Sequence, residues 1–196
     1  DSKLFDLVLV STDCEEIAKV SRAFGATVPF LRTNYADDFS TVSEATSYAL
    51  EQLKDYNGKS YETVVQLMAN CPLRSSKTIR EQVKEFEADK NRYSLLSGFK
   101  YGMFNPWWAH EKKEHGGFQK VLTAINTNAR SQDLPELICP SGASWISQYQ
   151  QLLDNGTFYS VGYRFHQISW LEAVDIDDKD DLLLAKAAYL LANENL

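Results

Sequence analysis

The residues best placed to do chemistry lie in Glu172-Ala-Val-Asp175-Ile-Asp177-Asp178-Lys-Asp180-Asp181, which follows the strand-like run Gln167-Ile-Ser-Trp-Leu. In an extended segment alternate side chains share a face, so Asp175 and Asp177 project to one side and Ile176 to the other. Two adjacent carboxylates repel each other unless a cation lies between them. Carboxylate oxygens on a rigid element suit a hard divalent ion such as Mg²⁺, which commonly arrives with a phosphate substrate. The plainer alternative is a helix start: Asp178 as N-cap, with Asp180 and Asp181 favoured by the first-turn dipole. That alternative accounts for Asp178, Asp180 and Asp181. For Asp175 and Asp177 both readings stay open on spacing alone.

Three arginines could meet an anion. Arg74 ends Cys71-Pro-Leu-Arg74, between an apolar run and a helix start, where a guanidinium can reach a phosphate or carboxylate with two parallel bonds. Arg32 follows Val28-Pro-Phe-Leu31, and Arg130 opens the polar turn Arg130-Ser-Gln-Asp-Leu-Pro135. Taken alone, each reads first as an ordinary surface arginine. His110, His115 and His166 have no metal-ligand spacing and read as structural or exposed.

These residues need a scaffold, and 196 residues, 44% hydrophobic and 24% charged, suffice for one globular domain spanning 1–196. A net charge of −7 argues against a nucleic-acid surface but leaves room for a local phosphate pocket. Cys14, Cys71 and Cys139 are odd in number and form no CxxC pair, which fits a reduced, cytoplasmic setting. No apolar run reaches membrane-spanning length, so no membrane partner is expected. The chain opens on Asp1, almost directly into a strand, and is expected to be a truncated part of a longer protein.

Short apolar runs alternate with helical patterns. Leu7-Val-Leu-Val10 reads as a strand buried on both faces. Asp13 and Glu16 form a possible capping box for a helix whose Ile17, Val20 and Phe24 share a face, with Gly25 as its stop. Val28-Pro-Phe-Leu31 reads as an edge strand, and residues 42–53 as a helix. Thr63-Val-Val-Gln-Leu-Met68 is a buried strand, Ser75 or Ser76 caps a helix carrying Ile79, Val83 and Phe86, and residues 93–99 form another strand. Such alternation predicts an α/β fold with a parallel sheet covered on both faces. Ligands are then expected in the loops after Val10, Met68 and Val174. Residues 102–140, with Trp107 and Trp108, lose periodicity and read as a functional or interfacial excursion.

The order of these pieces carries more than any one of them. Val10-Ser-Thr-Asp-Cys-Glu-Glu-Ile-Ala18, Gly25-Ala-Thr-Val-Pro-Phe-Leu-Arg32, Cys71-Pro-Leu-Arg74, Arg130-Ser-Gln-Asp-Leu-Pro135, Ser141-Gly-Ala143 and Asp175-Ile-Asp177 together resemble the acylneuraminate cytidylyltransferase family. These are the CMP-sialic acid synthetases and relatives acting on other nine-carbon acidic sugars. The resemblance implies a Rossmann-like three-layer sandwich with a mostly parallel sheet, of the nucleotide-diphospho-sugar transferase type. It implies transfer of CMP from CTP to an acidic sugar with release of pyrophosphate, in a cytoplasmic homodimer paired through the excursion near 102–140. It assigns Mg²⁺ to Asp175 and Asp177 as the catalytic pair. It assigns nucleotide binding to Arg32 and Arg74, and the sugar site to Arg130, Phe158, Tyr159 and Met68.

The chain departs from that pattern in three places. Met68 stands where the family has a glutamine, and Trp145 where it has a tyrosine, so a legionaminic- or pseudaminic-type sugar is expected. The family's front strand and Gly-rich, lysine-containing loop, which cradle the triphosphate, have no counterpart here, so half of the CTP site is expected upstream of Asp1. The alternatives are a Kdo-type or other sugar nucleotidyltransferase, or a non-catalytic homologue that lost its CTP loop.

Overall fold

The computed structural model of the chain describes residues 1–124 and 129–193. Its sheet has four strands in the order β1 (Thr63–Gln66), β5 (Ile138–Gln148), β2 (Leu95–Lys100), β6 (Arg164–Gln167). A separate hairpin pairs β3 (His110–Lys112) with β4 (Phe118–Lys120). β5 is antiparallel to both β1 and β2, and β2 is parallel to β6, so β1, β2 and β6 share a direction that β5 opposes. The expected α/β layering holds, with β5 as the one reversed strand among these four.

One sheet face packs on α2 (Val42–Asn57) and α4 (Tyr149–Asn155), through Leu50, Val64, Leu96, Trp145, Tyr149, Leu152 and Phe158. The other packs on α3 (Ser76–Ala88), through Phe86, Leu95 and Ile146. The helix starts follow from local chemistry. Thr41 and Glu44 form a reciprocal capping box on α2, and the Ser75 side chain accepts from the Thr78 amide to cap α3. Gly58, with φ of 68°, ends α2 in the left-handed conformation that a glycine adopts without strain.

The central irregularity is a bulge in β5. Leu96 pairs with Trp145 and Gly98 with Pro140, so residues 141–144 all face Ser97. Side chains repair the broken ladder. Ser97 Oγ donates to the Ser141 carbonyl at 2.8 Å and accepts from the Ser144 amide at 3.0 Å. The fully buried Gln82 of α3 donates to the Leu95 and Ser144 carbonyls at 3.0 and 3.1 Å, and accepts from the Ser144 hydroxyl. Buried backbone groups that lost their ladder partners are thereby satisfied.

The amino-terminal segment differs from expectation. Leu7–Val10 does not join the sheet: it makes one parallel bridge, Leu9 to Thr27, and Val8 is exposed. α1 (Glu15–Ala23) starts without the Asp13 capping box; its N-cap is Cys14, and the Thr12 hydroxyl accepts the Cys14 amide. Ile17, Val20 and Phe24 do share a face, but it is turned to solvent, with Phe24 89% exposed. Periodicity predicted the amphipathic helix correctly; what lies against its face is a tertiary matter. β1 is an edge strand, so one of its backbone edges has no strand beside it among the described residues.

Gly98 reports on the packing between β2 and its neighbours. A Cβ there would lie 2.7 Å from Ile138 Cγ2, 2.9 Å from Phe165 Cδ1 and 3.1 Å from the Cys139 carbonyl. Overpacking of this kind costs about 1–3 kcal/mol. Gly98→Ala is therefore expected to lower Tm, at roughly 2–4 °C per kcal/mol for a chain of this size. Thermal unfolding followed by circular dichroism checks this, and an unchanged Tm would show that the Phe165 ring swings away without cost.

Candidate active site

Three segments meet at the end of the sheet where β1 and β2 finish: the loop at residues 67–74, the β5 bulge, and the loop at residues 174–178. The bulge turns its carbonyls toward the first loop. Gly142 O accepts from the Met68 amide at 3.2 Å. Arg74 Nη1 donates to Met68 O at 2.9 Å and Ala143 O at 2.7 Å. Burial holds the pKa of Arg74 below its usual value, with Cys71 opposing the shift. The arginine assigned to nucleotide from the sequence thus uses one nitrogen to tie two loops together.

The strand-like run before the aspartates is in fact the end of β6 followed by a short helix, α5 (Trp170–Ala173), so Asp175 and Asp177 sit on a loop and not on a strand. The predicted alternation survives on that loop. Val174 is buried, and Ile176 packs with it against Ala185 and Ala188 of α6 (Lys179–Asn193). Anchoring those two apolar residues leaves the intervening carboxylates to the opposite side. Burial pushes the pKa of Asp175 up, and the neighbouring charge of Asp177 adds to the shift. Asp178 Oδ1 accepts the amides of Asp180 and Asp181 at 2.7 and 3.0 Å, the expected start of α6. The side chain of Asp181 accepts the amides of Asp177 and Asp178, each at 3.0 Å.

Further bonds lock this loop to the rest of the site. Ile176 N donates to Asn70 O at 3.0 Å, and Asn70 Nδ2 to Asp177 Oδ1 at 2.9 Å. Glu172 accepts from Ser75 N at 3.2 Å and from the Thr78 hydroxyl at 2.6 Å, pinning α5 to the start of α3. Cys71 is buried, and its thiol pKa is pushed up to about 11, first by burial and then by Asp175. It is a protonated structural thiol. Asn70 and Glu172 were not visible as site residues in the sequence; the only signal was their place beside Cys71-Pro-Leu-Arg74 and Asp175.

The remaining candidates separate. Phe158 is 0% exposed within the sheet core, where its ring packs edge-on against Trp145 at 5.6 Å. Tyr159 is 40% exposed and packs edge-on against Trp145 at 5.4 Å, where it can meet a ligand. Trp145 Nε1 donates to Ser141 O at 2.8 Å, which ties that ring to the bulge. Met68 lies over Gly142, in space that any Cβ at that position would take. Arg32 is held to the amino-terminal segment by its own amide on Thr12 O at 2.8 Å, and its Nε is buried with no acceptor among the described residues. Arg130 lies on the excursion, where Asp133 takes its Nε at 2.7 Å and its Nη2 at 3.0 Å. Met68, Arg74, Asp175 and Asp177 come together; the described contacts do not tie Arg32 or Arg130 to them.

No group of three or more His, Cys, Asp or Glu side chains among the described residues is arranged to hold a metal. Two carboxylates nevertheless fit Mg²⁺, which commonly takes one or two from the protein and fills its shell with water and substrate phosphate. The raised pKa of Asp175 comes first from burial and then from the like charge of Asp177, a repulsion that a cation would relieve. It also has a thermodynamic consequence. A folded-state pKa above the unfolded one means that ionised Asp175 opposes folding at neutral pH, and that the penalty fades as pH falls through the raised folded value. Asp175→Asn is therefore expected to raise Tm at neutral pH without divalent ions, with a gain that shrinks on acidification. A pH series of thermal melts checks this; a gain that grows on acidification would reverse the sign.

The sequence matches the cytidylyltransferase family over residues 1–133. A pseudaminic acid cytidylyltransferase of Campylobacter jejuni is 25% identical over 197 residues, spanning 100% of this chain and 83% of that protein. A CMP-N,N'-diacetyllegionaminic acid synthase of Legionella pneumophila is 26% identical over 193 residues, spanning 96% of this chain and 80% of that one. Among solved structures, a CMP:2-keto-3-deoxy-manno-octonic acid synthetase complexed with CTP superposes with a TM-score of 0.59 at 11% identity, covering 95% of this chain and 80% of its own. A 4-diphosphocytidyl-2C-methyl-D-erythritol synthase from Anaerococcus prevotii gives the same TM-score at 14% identity, covering 97% and 81%. The two superpositions agree with the Rossmann-like layering, and the family match, running through the loop that carries Arg74, places the chain in the cytidylyltransferase family.

Proposed function

We propose that this cytidylyltransferase moves CMP from CTP to an acidic nine-carbon sugar. The observation that carries the reading is the carboxylate pair of Asp175 and Asp177, held against the loop that follows β1 in a chain of this family. The sugar hydroxyl attacks the α-phosphate, a new oxygen–phosphorus bond forms, and the bond to the β-phosphate breaks as pyrophosphate leaves; the hydroxyl proton passes to solvent. Mg²⁺ held by Asp175 and Asp177 would neutralise triphosphate charge and stabilise the departing pyrophosphate. Arg32, whose buried Nε has no acceptor among the described residues, is the nucleotide-facing arginine. Arg130 faces the sugar carboxylate, once it is released from Asp133. Met68, Trp145 and Tyr159 give the sugar pocket an apolar lip suited to acyl groups. That lip, together with relatives named for pseudaminic and diacetyllegionaminic acids, favours sugars of those types.

The triphosphate cradle is proposed to come from an upstream strand bearing a lysine-containing loop. The open edge of β1, the single bridge of Leu9 and the exposed apolar face of α1 support this. With that strand present, the enzyme should release pyrophosphate from CTP with pseudaminic or legionaminic acid. Asp177→Asn should lose most of the turnover while the fold, judged by circular dichroism, survives. Turnover that is normal in Asp177→Asn at modest Mg²⁺ would overturn the site, and preference for an eight-carbon Kdo-type acid would overturn the sugar class. A cytoplasmic location is read from the three unpaired cysteines; among the described residues no helix is long and apolar enough to cross a membrane.

The excursion is proposed as a twofold interface. It exposes Met103, Phe104, Phe118 and Val121 beside Trp107, whose Nε1 donates to Pro135 O at 3.0 Å. A cluster of large apolar side chains in water marks a contact surface. Light scattering is expected to show a dimer at micromolar concentration that Phe104→Asp dissociates. A monomer at high micromolar concentration would remove the interface.

A further inference from the structure

Asn70 touches the aspartate loop twice. Its backbone carbonyl accepts from the amide of Ile176, the residue between the two carboxylates, at 3.0 Å. Its side-chain amide donates to Asp177 Oδ1 at 2.9 Å, across 107 residues of chain. The first bond fixes the backbone from which Asp175 and Asp177 project, and the second fixes the carboxylate itself.

The orientation of that amide is set by its two neighbours. A carboxylate only accepts, so the nitrogen of Asn70 must face Asp177. On the other side the buried Cys71 thiol donates to Asn70 Oδ1, at 3.8 Å. A flipped amide would set carbonyl oxygen against carboxylate oxygen and leave the thiol facing an N–H. The chain Cys71 to Asn70 to Asp177 therefore has one workable arrangement. Asp177 Oδ1 is anchored by it, while Oδ2 has no hydrogen bond among the described residues and is left available.

We infer that Asn70 is a positioning residue for the metal pair: it holds Asp177 so that its free oxygen faces the same cation as Asp175. The inference rests on the metal reading of Asp175 and Asp177. A carboxylate oriented before the ion arrives loses less freedom on binding, as for other groups that orient metal ligands, where removal typically costs ten- to hundredfold in affinity. The role is confined to the side chain, because Ile176 uses the backbone carbonyl, which every substitution at this position retains.

Mn²⁺ in the absence of nucleotide is the probe, with binding read from water-proton relaxation. The unsubstituted chain should bind Mn²⁺ weakly, and Asp177→Asn should abolish that binding. Asn70→Ala should weaken it about tenfold, with Tm close to that of the unsubstituted chain. If Asn70→Ala unfolds, Asn70→Ser, whose hydroxyl is too short to reach Asp177, should show the same weakening. Unchanged Mn²⁺ affinity in a folded Asn70 variant overturns the inference and leaves the metal reading standing. Absence of Mn²⁺ binding by the unsubstituted chain, or binding that persists at full strength in Asp177→Asn, overturns both.

Discussion

Ser97 is the point on which the arrangement turns. With residues 141–144 crowded opposite this one residue, β5 cannot keep a regular ladder with β2. A bulge redirects the strand and re-aims its backbone groups, and such features recur beside functional sites. Here the Ser97 hydroxyl holds both ends of the irregular stretch, and Gln82 satisfies the adjacent carbonyls from the helix side. Released from the ladder, the carbonyls of Gly142 and Ala143 take the Met68 amide and the Arg74 guanidinium. Without that redirection the loop after β1 would have little to dock on.

From this support the order reaches outward. Arg74 ties the bulge to the loop, the loop presents Asn70, and Asn70 holds the aspartate segment. Glu172 and Ser141 fix the other flank, the latter through its hydroxyl on the Ala173 carbonyl at 3.4 Å. Buried polar contacts of this density specify one arrangement only when nearly all members are satisfied. At the carboxylates satisfaction is incomplete: Asp175 is partly desolvated beside a like charge, a perturbation of the kind that clusters at functional sites.

The apolar side of the site has a different physical basis. Trp145, Tyr159, Tyr163 and Phe165 stack edge to face at 5.1–5.6 Å, the geometry ring quadrupoles favour. The ladder begins in the core, where Trp145 meets Phe158, passes through the part-exposed Tyr159 and Tyr163, and returns to the core at Phe165. A surface built this way is stiff, because its exposed rings are braced by buried ones.

The sequence by itself determined much of this. The strands read at residues 63–68 and 93–99 appear as Thr63–Gln66 and Leu95–Lys100, and the caps at Ser75 and Asp178 and the inward turn of Ile176 between Asp175 and Asp177 follow from local stereochemistry. The order of the motifs identified the family before any geometry. What the tertiary structure decided is non-local. Phe158 and Tyr159 are neighbours in sequence, yet only packing sends one into the core and leaves the other part-exposed. The face of α1 is apolar by periodicity, but whether it is covered depends on what lies beside it. β5, whose first residues fall inside the excursion read at 102–140, is not legible as a strand, and its reversal depends on which neighbours pair with it. Arg74 reads as an anion ligand from its place in the chain, and nothing local shows that two carbonyls, one from a bulge 69 residues away, take one of its nitrogens. Asn70 went unnoticed for the same reason: its partner lies 107 residues along the chain, and a side chain's partner at that separation is set by the fold.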